Sequence, residues 1–124
     1  MAQRPHLPQL AAIDSYGNGG FRFADMSHRG SLLCLPSGIW GWPVAAVGEI
    51  DEAALGQVFD EAEEIDLFLL GAGAAPWNMP APLRARFRDA QIGVEISPTG
   101  AAVRTYNILQ GERRRVAAGL IALP

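Results

Sequence analysis

An arginine and an asparagine three residues apart, on a segment bounded by glycines, are the most chemically suggestive feature of this sequence. Residues 100–110 read Gly-Ala-Ala-Val-Arg-Thr-Tyr-Asn-Ile-Leu-Gln, with Gly111 following. At helical spacing Arg104 and Asn107 share a face. Ala101, Ala102, Val103, Tyr106, Ile108 and Leu109 spread apolar surface nearly all round the same helix, which predicts a largely buried element. A polar stripe on such a helix must be satisfied. One use is structural: the pair ties the helix to strand ends, or Arg104 meets an acid such as Glu95 or Glu112. The other use is a small-anion site, with N–H groups at the helix start and a fixed positive charge from Arg104. In that arrangement Gly71 and Gly73 leave room, Thr99 and Gly100 supply the helix start, and Arg84 reaches the same mouth. Asn107, one turn deeper, orients Arg104.

Other constellations fall short of a reaction centre. Gly71-Ala72-Gly73-Ala74-Ala75-Pro76 follows a strand-like run and looks like half of a dinucleotide fingerprint. Pro76, Trp77 and Pro80 then stand where a helix would have to begin, so the plain reading is a turn needing positive φ. Asp25, Ser27, His28 and Ser31 crowd one loop, whereas a catalytic triad converges from separate elements around an oxyanion hole. His28 and Ser31 are expected to satisfy turn backbone. His6, His28 and Cys34 are the soft metal ligands, at spacings unlike any metal motif, so no metal and no cofactor is expected. Glu61, Glu63 and Glu64 read as a solvated face. Trp40, Trp42 and Trp77 stand near prolines, outside the periodic elements. They serve either as packing or as a partner surface, since aromatics beside loops are common interface anchors.

The elements that must position these residues follow from pattern. The chain has 124 residues, of which 49% are hydrophobic and 19% charged; that composition excludes disorder and fits a single domain, 1–124, with a core of its own. No apolar run reaches the roughly 18 residues of a membrane span. The stretch 1–9 lacks the apolar segment of a signal peptide. The lone Cys34 excludes an internal disulfide and fits a reducing, cytoplasmic setting. The net charge of −3 disfavours general nucleic-acid binding. Residues 10–15 and 21–23 flank Tyr16-Gly17-Asn18-Gly19-Gly20, which has hairpin-turn chemistry. Residues 31–35 and 38–44 read as strands, the second at an edge because of Pro43. The character then changes near residue 50. Asp51 caps a helix with Leu55, Val58, Phe59 and Ala62 on one face. Residues 67–70 form a continuous apolar strand, Pro82 opens a second helix, 93–96 is a strand, Thr99 opens the third helix and 116–123 is the last strand. The expected fold is a three-layer β/β/α sandwich of the α/β class. A β-rich N-terminal half precedes a βαβαβ unit with right-handed crossovers and a partly parallel sheet.

The sequence also resembles a known family, the domain of unknown function 498, which includes the mitochondrial complex I assembly factor 3. The resemblance runs through nearly the whole chain. It rests on Tyr16-Gly17, Gly19-Gly20-Phe21, Gly30-Ser31, Leu35-Pro36, Leu70-Gly71 and Gly73 in the first part. It continues through Pro82-Leu83-Arg84, Gly93-Val94-Glu95, Thr99-Gly100-Ala101-Ala102, Arg104-Thr105-Tyr106-Asn107 and Val116-Ala117-Ala118. Three positions depart from it: Pro98 replaces a frequent Asp, Val103 a frequent Cys, and Arg113 an expected Gly. The second departure argues against a nucleophilic cysteine. The resemblance implies the three-layer β/β/α fold and no established reaction. Together with the missing catalytic groups, it points to a non-enzymatic interaction or assembly factor with protein partners among the subunits of a membrane (respiratory) complex, peripheral to the inner membrane. The alternative is an enzyme or sensor that binds a small anion at the start of helix 100–110.

Overall fold

A computed structural model describes residues 4–124. The reading of 1–9 as free of a signal segment falls partly on residues 1–3, which lie outside the described residues.

The N-terminal half is antiparallel, as its turn chemistry predicts. Strands β1 (Ser15–Gly17), β2 (Gly20–Phe23) and β3 (Met26–Arg29) form a three-stranded meander. Asn18 and Gly19 join β1 to β2 with φ of 52° and 80°, the double positive φ of a two-residue hairpin turn. Ala24 and Asp25 make the next turn in the same conformation, with φ of 48° and 62°. No asparagine or glycine announces that turn, and β3 was not expected; Ser27 and His28 therefore lie on a strand, not in one loop. Strands β4 (Ser31–Leu35) and β5 (Gly38–Trp42) then open the main sheet.

The second half supplies β6 (Leu67–Gly71), β7 (Gly93–Ser97) and β8 (Val116–Leu120), giving the order β5-β4-β8-β6-β7. β6 is parallel to both β7 and β8, and β4 is antiparallel to β8. Three α-helices lie among the described residues: α1 (Gly56–Asp60), α2 (Ala81–Asp89) and α3 (Thr99–Gly111). From β6 to β7 the chain steps outward; from β7 to β8 it steps back across β6. Two right-handed crossovers in opposite directions must place their helices on opposite faces. They do: Leu83 and Phe87 of α2 pack with Phe68, Leu70, Leu33 and Leu35 on one face, with Val58 of α1. Ala102, Val103 and Tyr106 of α3 pack with Leu69, Ala118, Leu32 and Cys34 on the other, alongside Phe21 and Phe23 of the meander. The result is the β/β/α sandwich, with α3 beside the meander in the outer β layer. Each fully buried Leu or Phe here contributes roughly 1.5–3 kcal/mol.

Two expectations about helices need correction. Asp51 does cap, accepting a bond from the Ala54 N–H at 2.8 Å, but it caps a turn that precedes a helix of only five residues, 56–60. Gly56 begins that helix, and a separate 3-10 turn takes residues 62–64. Helix α3 is one-sided, not buried all round: Ile108 is 56% exposed and Arg104 lies in solvent.

Helices α2 and α3 end alike. Past α2, the Ile92 N–H bonds Phe87 O and the Gln91 N–H bonds Arg88 O. Past α3, the Arg114 N–H bonds Leu109 O and the Arg113 N–H bonds Gln110 O. Both are Schellman motifs, and their left-handed positions hold Gln91 and Arg113, each at φ 61°. Arg113 is the residue that replaces an expected glycine. A left-handed conformation costs a non-glycine residue about 1–2 kcal/mol, offset in part by the extra backbone freedom glycine loses on folding. Arg113→Gly should therefore raise unfolding free energy by about 0.5–1 kcal/mol, read from urea denaturation, with unchanged m-value.

Candidate functional site

Opposite-facing crossovers make the carboxyl ends of β6 and β7 a topological switch point, where open α/β sheets form their crevices. The chain leaves β6 through Gly71, which has a steric reason to be glycine. A β-carbon there would stand 2.9 Å from the Thr99 Cα and 3.2 Å from the Ala102 Cβ. Gly73 follows at φ 88°, the positive φ the turn requires. The Ala72 N–H bonds Ser97 O at 2.8 Å, and the Thr99 N–H bonds Gly73 O at 3.0 Å. The loops leaving β6 and β7 are thus stitched together. Beyond the stitches lies a notch of about 210 Å³ lined by Ala72, Ala74, Trp77, Ile96, Ser97 and Pro98, among others.

The seven residues of the expected anion site do not converge on that notch. Thr99 is fully buried, and its hydroxyl is engaged twice: it donates to Ile121 O at 2.7 Å and accepts from the Gly73 N–H at 2.9 Å. Gly100 is backed by the Tyr16 ring, whose hydroxyl would lie 2.4 Å from an added β-carbon. Arg84 is exposed and donates from Nε to Met79 O at 3.2 Å, tying off the loop before α2. Arg104 is exposed, makes no ion pair with Glu95 or Glu112, and lines none of the described cavities. Asn107 does not orient Arg104. Its Oδ1 accepts the Ile13 N–H at 2.8 Å and its Nδ2 donates to Ile13 O at 2.9 Å, as a strand partner would. Tyr106 adds a bond to Ala11 O at 2.8 Å, so the Tyr106-Asn107 pair clamps residues 11–13 onto α3.

The tryptophans divide. Trp42 is 5% exposed, lies against Gly119 and donates to Ala54 O at 2.9 Å; it belongs to the core, not to a partner surface. Trp40 and Trp77 are half-buried. Trp40 donates to Ser37 Oγ, which in turn donates to Glu61. Glu61 also accepts the Ser37 N–H, so this acid fixes the β4–β5 turn, while Glu63 and Glu64 stay in solvent.

Two features were missed by sequence reasoning. His6 and His28, 22 residues apart, meet with ring centroids 4.6 Å apart. Burial pushes the His28 imidazole pKa down, and the neighbouring His6 adds to that shift; its Nε2 lies 3.1 Å from Ser31 O. Cys34 lies elsewhere, in the core, and the described residues hold no cluster of three metal-ligating side chains. The second feature is a groove of about 690 Å³ between Trp42, Pro43 and Val44 and the final residues Ala122, Leu123 and Pro124. Ser31 anchors that tail, its hydroxyl accepting the Ala122 N–H.

Residues 13–121 match the family described as protein of unknown function DUF498/DUF598. The chain belongs to this family. An uncharacterized family relative from Rhodobacter capsulatus is 38% identical, over 100% of this chain and 95% of its own length. The NADH dehydrogenase [ubiquinone] 1 alpha subcomplex assembly factor 3 of Danio rerio is 30% identical over 90% of this chain. This chain spans 64% of that protein's length, just under two thirds. Among solved structures, an outer membrane protein from Bartonella henselae superposes with a TM-score of 0.92 at 44% identity, covering 96% of this chain and 100% of the other. A protein from Rhodopseudomonas palustris superposes at 0.86 with 52% identity, over 99% and 91%. A Mth938-like domain from Bordetella pertussis, at 24% identity over 98% of this chain and 91% of the other, with a TM-score of 0.80, shares the fold. Among the described residues no helix is long and apolar enough to cross a membrane.

Thr99, Tyr106 and Asn107 thus act on the fold around α3. Thr99→Val keeps the shape but strands a buried N–H and a buried carbonyl. It should cost about 2–4 kcal/mol in urea denaturation, whereas Thr99→Ser should cost less than about 1.5 kcal/mol.

A second expectation concerns alkaline pH. Cys34 is fully buried, and burial pushes its thiol pKa up to about 12. Tyr106 beside it is also pushed up, by burial first and then by Cys34. Both folded values lie above the unfolded ones, so this stability is complete below about pH 8.5 and is lost as pH rises and the unfolded chain alone ionises. With no lysine in the chain, few other groups titrate there. Unfolding free energy should stay flat from pH 7 to 8 and fall above 9; Cys34→Ala should move the onset to about pH 10.

Proposed function

We propose that this chain is a non-enzymatic assembly factor that binds protein subunits of a membrane-bound respiratory complex. It would work from the cytoplasmic side and peripheral to the inner membrane. The observation that carries this reading is the match of 90% of the chain to an assembly factor of NADH dehydrogenase. The geometry lends support. The polar residues of the Arg-Thr-Tyr-Asn stretch that reach inward, Tyr106 and Asn107, are engaged by backbone at Ala11 and Ile13. Thr99, Ser31 and Glu61 are likewise tied to backbone elsewhere in the fold. These groups hold a rigid scaffold whose outer surface is left to meet other chains. Half-buried Trp77 and Trp40 offer the aromatic anchors that interfaces favour.

Deletion of the gene should lower the amount of fully assembled respiratory NADH dehydrogenase on native gels and leave subcomplexes behind. Affinity-tagged chain should co-purify with subunits of those subcomplexes and not with the finished enzyme. Normal amounts of the assembled enzyme in the deletion strain, with no respiratory subunit recovered on the tagged chain, would overturn the proposal.

A further inference from the structure

The main sheet ends at β7, whose outer side has no partner strand among the described residues. The Gly93 N–H bonds Asp66 O and the Ala72 N–H bonds Ser97 O, so Gly93, Glu95 and Ser97 direct their backbone groups toward β6. Val94 and Ile96, alternating with them, must direct N–H and C=O away from the sheet. Among the described residues no strand pairs with that side of β7. Natural edges are commonly blunted by proline, a bulge or charge. Here the five residues read Gly-Val-Glu-Ile-Ser, with no proline, and the single charge is the exposed Glu95 at the centre.

That charge bears on the occupant. Antiparallel pairing of β7 with a second copy, in the register that uses all five residues, sets Glu95 opposite Glu95 of the copy, and like charges directly opposite destabilise a ladder. The same carboxylate favours a strand carrying a basic residue at that position. On the other face of β7, Val94 and Ile96 are half-buried, and the 210 Å³ notch between Trp77, Ala74 and Pro98 opens beside Ile96. A strand laid along this edge would place its next side chain on the face of that notch, because successive side chains alternate.

We propose that the β7 edge is a strand-addition site for an extended segment of a partner protein in which basic and large apolar residues alternate. The basic residue pairs with Glu95 and an apolar one fills the notch beside Trp77. Main-chain bonds to Val94 and Ile96 supply affinity, and the two side-chain positions supply specificity. The inference rests on the reading of this chain as a partner-binding protein and names the surface it uses.

The test uses the full chain and two blocked heptapeptides, one alternating valine with arginine and one alternating valine with glutamate. Amide hydrogen exchange is followed by NMR. The arginine peptide should slow exchange at Val94 and Ile96 at least tenfold, and the glutamate peptide should leave both unchanged. Glu95→Lys should exchange the two preferences. Ile96→Pro removes an outward N–H, which an edge strand tolerates, and should abolish protection; if that variant fails to fold, the charge swap still decides. Absence of protection by either peptide would overturn the proposal, as would equal binding of the arginine peptide by Glu95→Lys. So would sedimentation showing a dimer that Ile96→Pro dissolves. Respiratory subunits that co-purify with Glu95→Lys as well as with the unaltered chain would overturn the edge assignment and leave the assembly role standing. Failure of the unaltered chain to recover them would sink the assembly role itself.

Discussion

One hydroxyl, that of Thr99, joins the three strand ends on which the architecture depends. It accepts the Gly73 N–H and donates to Ile121 O, and its own N–H bonds Gly73 O. The Ile121 N–H in turn bonds Gly71 O. The exits of β6 and β8 and the start of α3 are therefore fixed to one another at a buried junction. The cost of leaving any of these groups unpaired there is the full desolvation penalty, about 1–3 kcal/mol each. The approach is possible because Gly71 has no side chain, since a β-carbon would collide with the Thr99 backbone. Glycine and threonine are thus one device: the first permits contact and the second satisfies the polar groups that contact buries.

From that junction α3 runs across β6 and β8 on a face of small residues, Ala102 and Val103. At its middle Tyr106 and Asn107 reach the incoming chain at residues 11–13. The segment before β1 has little ladder of its own, and the side-chain amide of Asn107 provides what a neighbouring strand would. The meander then lies where its phenylalanines, Phe21 and Phe23, close the core beneath. The motif that looked most like a site is therefore the clamp between the two halves of the fold. Arg104, whose charge suggested the site, points to solvent from the same helix.

The partly parallel sheet, the crossovers and most strand positions were legible in the sequence because continuous apolar runs and Asn-Gly chemistry have few physical solutions; the order of the strands was not. Nor was the turn at Ala24 and Asp25, since its first left-handed position is held by an alanine, which does not favour it, and β3 was lost with it. The side of α3 that faces solvent was not legible either. Ile108 is apolar yet exposed, and periodicity cannot tell a tolerated surface isoleucine from a buried one. The site residues were legible in part, since Gly71, Gly73 and Thr99 do meet where β6 and β7 end. Arg104 and Asn107 do share a stripe, but whether a polar side chain on a helix meets a ligand or a backbone depends on what the other half of the chain brings to it. The meeting of His6 with His28 depends on the pairing of Leu7 with Ile39, a contact that no local pattern encodes.

That pairing also sets the two sheet edges apart. At β5 the His6 N–H bonds Ile39 O and the Ile39 N–H bonds Leu7 O, so the N-terminal segment covers the edge and Ile39 is fully buried. At β7, among the described residues, nothing comparable is drawn across Val94 and Ile96. The chain covers the edge nearer the meander and leaves the one beside the β6 and β7 exits. Covering an edge strand removes its capacity to pair with other chains. A sheet protected on one side only has kept that capacity in one place. The place it has kept it adjoins the notch created by the opposite-facing crossovers, so the topology that separates α2 from α3 also puts an apolar pocket at the end of the bare edge of the main sheet.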